Sequence, residues 1–215
     1  LILRSRKRFI NYLSACASPH ADRYLVSPGI DRFNIFFFLL IFFTACSPKS
    51  LSRVKDNAEL GPARAHFLSE VPFFAQEEHY CGPAALASVL NFYGKELSQE
   101  EIAESIYLPQ VKGTLNLDLL LYARKQGFEA ETLNFDLERL KKELAEGHPL
   151  IVFLDVGWGF YPIRHYAVVV GYDDTQEVIV IHSGGRKNQL ISDKKFQKAW
   201  EKTGNWCLLI LPPAG

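Results

Sequence analysis

The sequence contains no methionine, carries no net charge and has no apolar run long enough to cross a bilayer, and each absence narrows what the chain can be. Without Met, Leu1 reads as either an alternative start or a position upstream of the true one. The first thirty residues include basic Arg4, Arg6, Lys7 and Arg8 but no amphipathic period, and they are set apart from any fold. With 24 basic against 24 acidic side chains, no whole-molecule field attracts nucleic acid. No basic stripe with interleaved aromatics replaces that field, so nucleic acid is not an expected partner. Neither a CxxC nor an HExxH spacing occurs, and no metal or other cofactor is expected.

Cysteines are few, four in all. Cys16 falls in the segment set apart, and Cys207 sits in WCLLIL, where a cysteine behaves as a small buried hydrophobe. A bond between Cys81 and Cys207 is possible, but the surroundings of Cys81 point to a free thiol. Cys46 has a different setting. The nine apolar residues Ile35 to Phe43 follow Arg32 and precede Thr44-Ala45-Cys46. Spanning a bilayer needs about 20 apolar residues, whereas the core of a signal peptide needs about 7–15. The run therefore reads as a signal peptide, and Phe43-Thr44-Ala45-Cys46 resembles a bacterial lipobox with Cys46 as the lipidated mature N-terminus. Such a protein is tethered to the cell envelope, and Ser47 favours the outer membrane in a Gram-negative cell.

At 48% hydrophobic and 22% charged, the 215-residue chain has a globular composition and a length suited to one domain with a processing segment. Three segments are expected: residues 1–46 as extension plus signal peptide, 47–70 as a polar tether, and 71–213 as the folded domain. Leu86, Val89, Leu90 and Tyr93 recur at helical spacing from Cys81, and Gly94 ends the helix. Ser98 with Glu101 forms a capping-box pair that opens a second helix through Ile106. Leu117, Leu120 and Leu121 mark a third helix, stopped at Gly127. Leu137, Leu140 and Leu144 mark a fourth, capped by Asp136 and stopped at Gly147. After Pro149 the period shortens: 150–155, 165–172, 177–182 and 206–211 read as strands, with a helix around Phe196 and Trp200 before the last. Asp173 to Gln176 makes an antiparallel hairpin of the second and third strands. A helical first half packed on an antiparallel sheet from the second half is an α+β layout.

Chemistry concentrates in Gln76-Glu77-Glu78-His79-Tyr80-Cys81-Gly82-Pro83-Ala84-Ala85. This spacing sets a thiol on the first turn of a helix, five residues after an amide. Pro83 suits an early helical position, and the free N–H groups at the helix start favour thiolate. Gln76 and the Cys81 N–H could stabilise an oxyanion, and His165, opening a strand in the other half, is a candidate base.

In these residues the chain resembles the double-glycine-leader peptidases, a branch of the papain-like cysteine peptidases. Val71-Pro72 with Gln76, the Cys81-Gly82-Pro83-Ala84-Ala85 helix start, His165 to Asp173, and Phe196, Trp200 and Trp206 carry the likeness across roughly 71–213. The resemblance implies a papain-like fold, a peptide or protein substrate, Cys81 as nucleophile, His165 as base and Gln76 as oxyanion donor. Where the family has an Asp as third member, this chain has Ser183, within His182-Ser183-Gly184. Asp155, at the end of the preceding strand, could orient His165 instead or be an ordinary strand-end acid, and His182 reads as a hairpin residue beside the cleft. Alternatives to hydrolysis are a degenerate domain that binds a peptide or protein partner, and a Cys-His acyl transferase or deamidase.

Overall fold

The computed structural model describes residues 48–76 and 79–213. Cys46 and the signal-peptide run lie outside the described residues. Among those described, no helix is long and apolar enough to cross a membrane.

Seven antiparallel strands form one sheet: β1 (Ala65–Phe67), β2 (Glu129–Asn134), β3 (Leu150–Asp155), β4 (Arg164–Asp173), β5 (Val178–Ser183), β6 (Arg186–Ser192) and β7 (Trp206–Leu211). The order is β2-β7-β3-β4-β5-β6, with β1 paired to β4. Because β5 pairs with β4 through Asp173, β1 lies on the same edge of β4 as β3, beyond the end of β3. Helices α1 (Leu51–Ala58), α2 (Cys81–Phe92), α3 (Gln99–Ile106) and α4 (Asn116–Lys125) lie on one face. Helices α5 (Leu137–Ala145) and α6 (Asp193–Glu201) lie on the other.

This double cover explains the unbroken apolar runs of the central strands, which must be apolar on both faces. In β4, Tyr166, Val168 and Val170 enter the core under α1–α4, while Ala167 and Val169 enter the core under α5 and α6. A bulge between Val169 and Gly171 then shifts the alternation, so that Tyr172 joins the second core. Gly171 at the bulge allows β1 to approach: a Cβ there would lie 2.6 Å from the His66 carbonyl oxygen.

The expected α+β class stands, as do the four helices from Cys81 onward and the β4–β5 hairpin. Ser98 and Glu101 form the expected reciprocal capping box, and the Asp136 carboxylate accepts from Arg139 N–H at 2.7 Å. Three expectations change. Segment 47–70 is not a tether: α1 buries Val54 completely, Ser50 N–H donates to Gln176 Oε1 at 2.8 Å, and β1 pairs with β4. The fold therefore starts by Ser50 rather than Val71. A helix of eight residues with one buried side chain gives little periodicity to read. The first half is also not purely helical, because β1 and β2 belong to it. Strands β2 (EAETLN) and β6 (RKNQLIS) escape hydropathy because they are the two ends of the sheet and are largely polar.

Candidate active site

Helix α2 begins at Cys81 and is buried on every side from Gly82 to Leu90, so it is the central helix of the first core rather than an amphipathic surface helix. Gly82 follows the thiol because the neighbouring wall is close: a Cβ would lie 3.0 Å from Thr114 Cβ and 3.1 Å from its Oγ1.

Cys81 is half-buried and free, as is the fully buried Cys207. The backbone N–H groups of Tyr166, the residue after His165, of Gly82 and of Cys81 itself favour the Cys81 thiolate. Burial pushes the thiol up, and these three donors offset that only in part. The helix start thus helps as expected, but desolvation outweighs it, and the unliganded protein favours thiol over thiolate. Burial also lowers His165, and among the described residues no carboxylate offsets it. The pair is neutral at rest.

His165 pairs across the sheet with Leu154, and its Nε2 is buried without a hydrogen-bond partner. Neither candidate third member is bound to that nitrogen. Continuing the Val168–His182 register by one residue sets Ser183 against Ala167, on the sheet face that His165 shares. Ser183 therefore occupies a matching place, but its hydroxyl makes no bond to Nε2. The Asp155 carboxylate is used elsewhere. Its Oδ1 accepts from Gly157 N–H at 2.8 Å and Ile163 N–H at 3.1 Å, which hold its carboxyl below the usual range together with Lys202 and Arg164. Asp155 Oδ1 ties the loop that follows β3.

The Gln76 segment is held by its backbone. Gln76 N–H donates to the Gly184 carbonyl at 3.2 Å, and Gln99 Nε2 donates to the Ala75 carbonyl at 3.0 Å. His182 completes the brace. Asn188 N–H donates to its Nδ1 at 3.3 Å, so Nε2 carries the proton and donates to the Val71 carbonyl at 3.2 Å. Phe73 packs edge-on against the ring, and burial lowers its pKa. His182 is thus a neutral structural histidine between β5 and the extended segment leading to Gln76, a role that hydropathy could not reveal. Tyr166 was likewise unmarked in the sequence. Besides its N–H to Cys81, its hydroxyl donates to Thr114 O at 3.2 Å and bonds Asn116 Oδ1, joining the catalytic strand to the wall against Gly82.

The fold recurs in known proteins. The fold is similar to a protein described as a C39-like peptidase from Bacillus anthracis, with a TM-score of 0.59 at 20% identity over 71% of this chain and 100% of that one. The peptidase domain of Streptococcus ComA, a bifunctional ABC transporter of quorum sensing, gives 0.53 at 26% identity over 66% of this chain and 98% of that domain. A double glycine motif protease from an AMS/PCAT transporter, solved in complex with its leader peptide, gives 0.56 at 25% identity over 68% of this chain and 94% of that one. An uncharacterized protein from Methanothermobacter marburgensis is 31% identical over 121 residues, covering 56% of this chain and 78% of its own length. The family model of the Peptidase C39 like family matches residues 68–208, which includes Gln76, Cys81, His165 and Ser183, and the chain belongs to that family.

Proposed function

We propose that the chain is an envelope-anchored cysteine peptidase that cuts a peptide or protein substrate through a thioester on Cys81. The observation that supports the reading is that the Tyr166 N–H acts on the Cys81 thiol, which brings the residue after His165 within reach of the nucleophile.

In this reading His165 takes the Cys81 proton as substrate enters and excludes water. The sulfur attacks the carbonyl carbon, forming C–S while the oxyanion accepts from the Cys81 N–H and the Gln76 amide. The imidazolium protonates the amine as C–N breaks. Water then gives a proton to His165 and attacks the thioester, forming C–O as C–S breaks and the thiol is restored. Mass spectrometry of peptides incubated with the protein tests this: new termini carrying one added water support hydrolysis. Products joined to an added amine would indicate transfer, and a one-dalton gain at Gln would indicate deamidation.

The unpartnered His165 Nε2 favours a second reading, a weakened peptidase domain that binds a peptide without cutting it. A Cys81 that resists iodoacetamide at pH 7 and 8 alike, with no cleavage, would establish that reading.

Export and anchoring rest on the apolar run before Cys46. Intact mass of the membrane fraction should show a lipid-modified chain starting at Cys46; a soluble chain retaining earlier residues would refute both. In a Gram-negative cell, Ser47 directs the expectation to the outer membrane.

A further inference from the structure

Between β3 and β4 runs Val156-Gly157-Trp158-Gly159-Phe160-Tyr161-Pro162-Ile163, without one charged side chain. Trp158 is 90% exposed, Phe160 99% and Tyr161 81%, and Val156 and Ile163 are more than half exposed. Adjacent large apolar groups in water mark an interaction surface. The scaffold beneath them is built rather than loose. Val156 N–H donates to the Ile163 carbonyl at 2.9 Å, and Tyr161 N–H donates to the Trp158 carbonyl at 3.2 Å. Asp155 Oδ1 gathers the Gly157 and Ile163 N–H groups, and Lys202 Nζ donates to the Gly157 carbonyl at 2.8 Å. The neck is so narrow that a Cβ at Gly157 would strike the Tyr161 carbonyl.

We propose that this hairpin docks the peptide substrate by gripping large apolar side chains near the bond to be cut, an inference that rests on the peptidase reading above. Its place beside His165 selects a peptide as the occupant. The hairpin is continuous with the site, since Ile163 and Arg164 lead directly into His165. The described chain also begins at the opposite end of β4, where Lys49 Nζ donates to the Glu177 carbonyl and Ser50 N–H to Gln176 Oε1. Ten strand residues separate the two ends, roughly 30 Å at the usual rise. The hairpin thus lies at the end of β4 that carries His165, away from Lys49 and Ser50. Leu115 and Leu117, each about half exposed, follow Thr114, whose side chain lies beside Gly82.

Trp158 reports its own occupancy, because Trp200 and Trp206 are only 1% and 9% exposed. The full chain carrying Cys81→Ala is titrated with two peptides of equal length and charge, one with Leu and Phe along it and one with Ser and Gly. The apolar peptide should blue-shift Trp158 emission and shield it from acrylamide, binding about tenfold tighter than the polar peptide, with Phe160→Ser removing that advantage. In the active chain, Phe160→Ser should lower the ratio of kcat/KM between the two peptides about tenfold, through KM. Equal binding of both peptides, no response to either, or a response only to phosphatidylglycerol vesicles overturns the proposal. A Trp158 response without cleavage of either peptide supports docking while refuting hydrolysis. Cleavage with the same preference in Phe160→Ser refutes docking while leaving hydrolysis intact.

Discussion

The two ends of strand β4 are built to opposite standards. At the far end the fully buried Asp173 carboxylate accepts from Asn57 Nδ2 at 2.8 Å, Gln176 N–H at 2.9 Å and Gln176 Nε2 at 2.7 Å. Arg64 takes the N–H of Asp174 on its carbonyl, and the Tyr172 hydroxyl donates to Pro62. At the near end a buried histidine nitrogen has no partner, a thiol is held above its ordinary pKa, and three aromatic rings stand in water. One end gives its buried carboxylate a full set of donors, while the ring nitrogen of His66 on β1 is left without a partner. The other combines an unsatisfied histidine nitrogen with exposed apolar rings, a local inconsistency of the kind expected where a protein binds or reacts.

The sharpest test of the contrast is chemical. Cys81→Ala and His165→Ala should each lower turnover by on the order of 10⁴-fold or more, with the circular dichroism spectrum and urea midpoint preserved. Comparable turnover in either variant would place the chemistry elsewhere. Gln76→Ala should cost about 10²–10³ in kcat, the size of one oxyanion donor, and an unchanged kcat would leave its segment a purely structural role.

At the far end the effect should be on stability instead. Asp173→Ala leaves the Asn57 and Gln176 donors without their acceptor and should cost about 3 kcal/mol, read as a lower urea midpoint at constant slope. A midpoint within experimental error of wild type would mean that the three donors find other partners.

Moving a carboxylate to the near end should make it resemble the far one. Ser183→Asp puts an acceptor on the sheet face of His165, which would raise the imidazole pKa and favour thiolate-imidazolium over the neutral pair. Iodoacetamide labelling of Cys81 at pH 7 should then accelerate about tenfold, one unit of pKa. In wild type, labelling should keep climbing as pH rises through the elevated thiol pKa. Asp155→Asn should disturb the hairpin without moving this profile, and a shifted profile would return Asp155 to the catalytic pair.

The smallest effect concerns acid. His165 and His182 are both lowered by burial, so on acidification the unfolded chain protonates first, from about pH 6.5 downward. Their contribution to stability is present above that pH and is lost as pH falls through the depressed folded values. For His182 the proton would enter at Nδ1 and break the Asn188 contact. A urea midpoint that falls between pH 7 and 5, and falls less in His182→Gln, is the expected result. A flat midpoint would mean that these rings protonate alike in both states.

Much of this protein is decided by the sequence on its own. The capping box at Ser98, the Asp136 cap, the helix starting at Cys81 and the β4–β5 hairpin depend on neighbours within a few residues, so local chemistry suffices for them. Gln76, Cys81 and His165 were legible as a set because the short segments around them carry the likeness to a family. Tertiary structure alone decided the rest. Strands β1, β2 and β6 are short or polar and exist because a partner edge satisfies their backbone. The fold of residues 51–67 depends on Gln176 and Asp173, more than a hundred positions away. Whether Ser183 or Asp155 serves His165 is a question of register and hydrogen-bond reach, and the residue letters do not encode it. The state of Cys81 was decided by burial, a property of the packed molecule, which outweighs the helix start that the sequence displays.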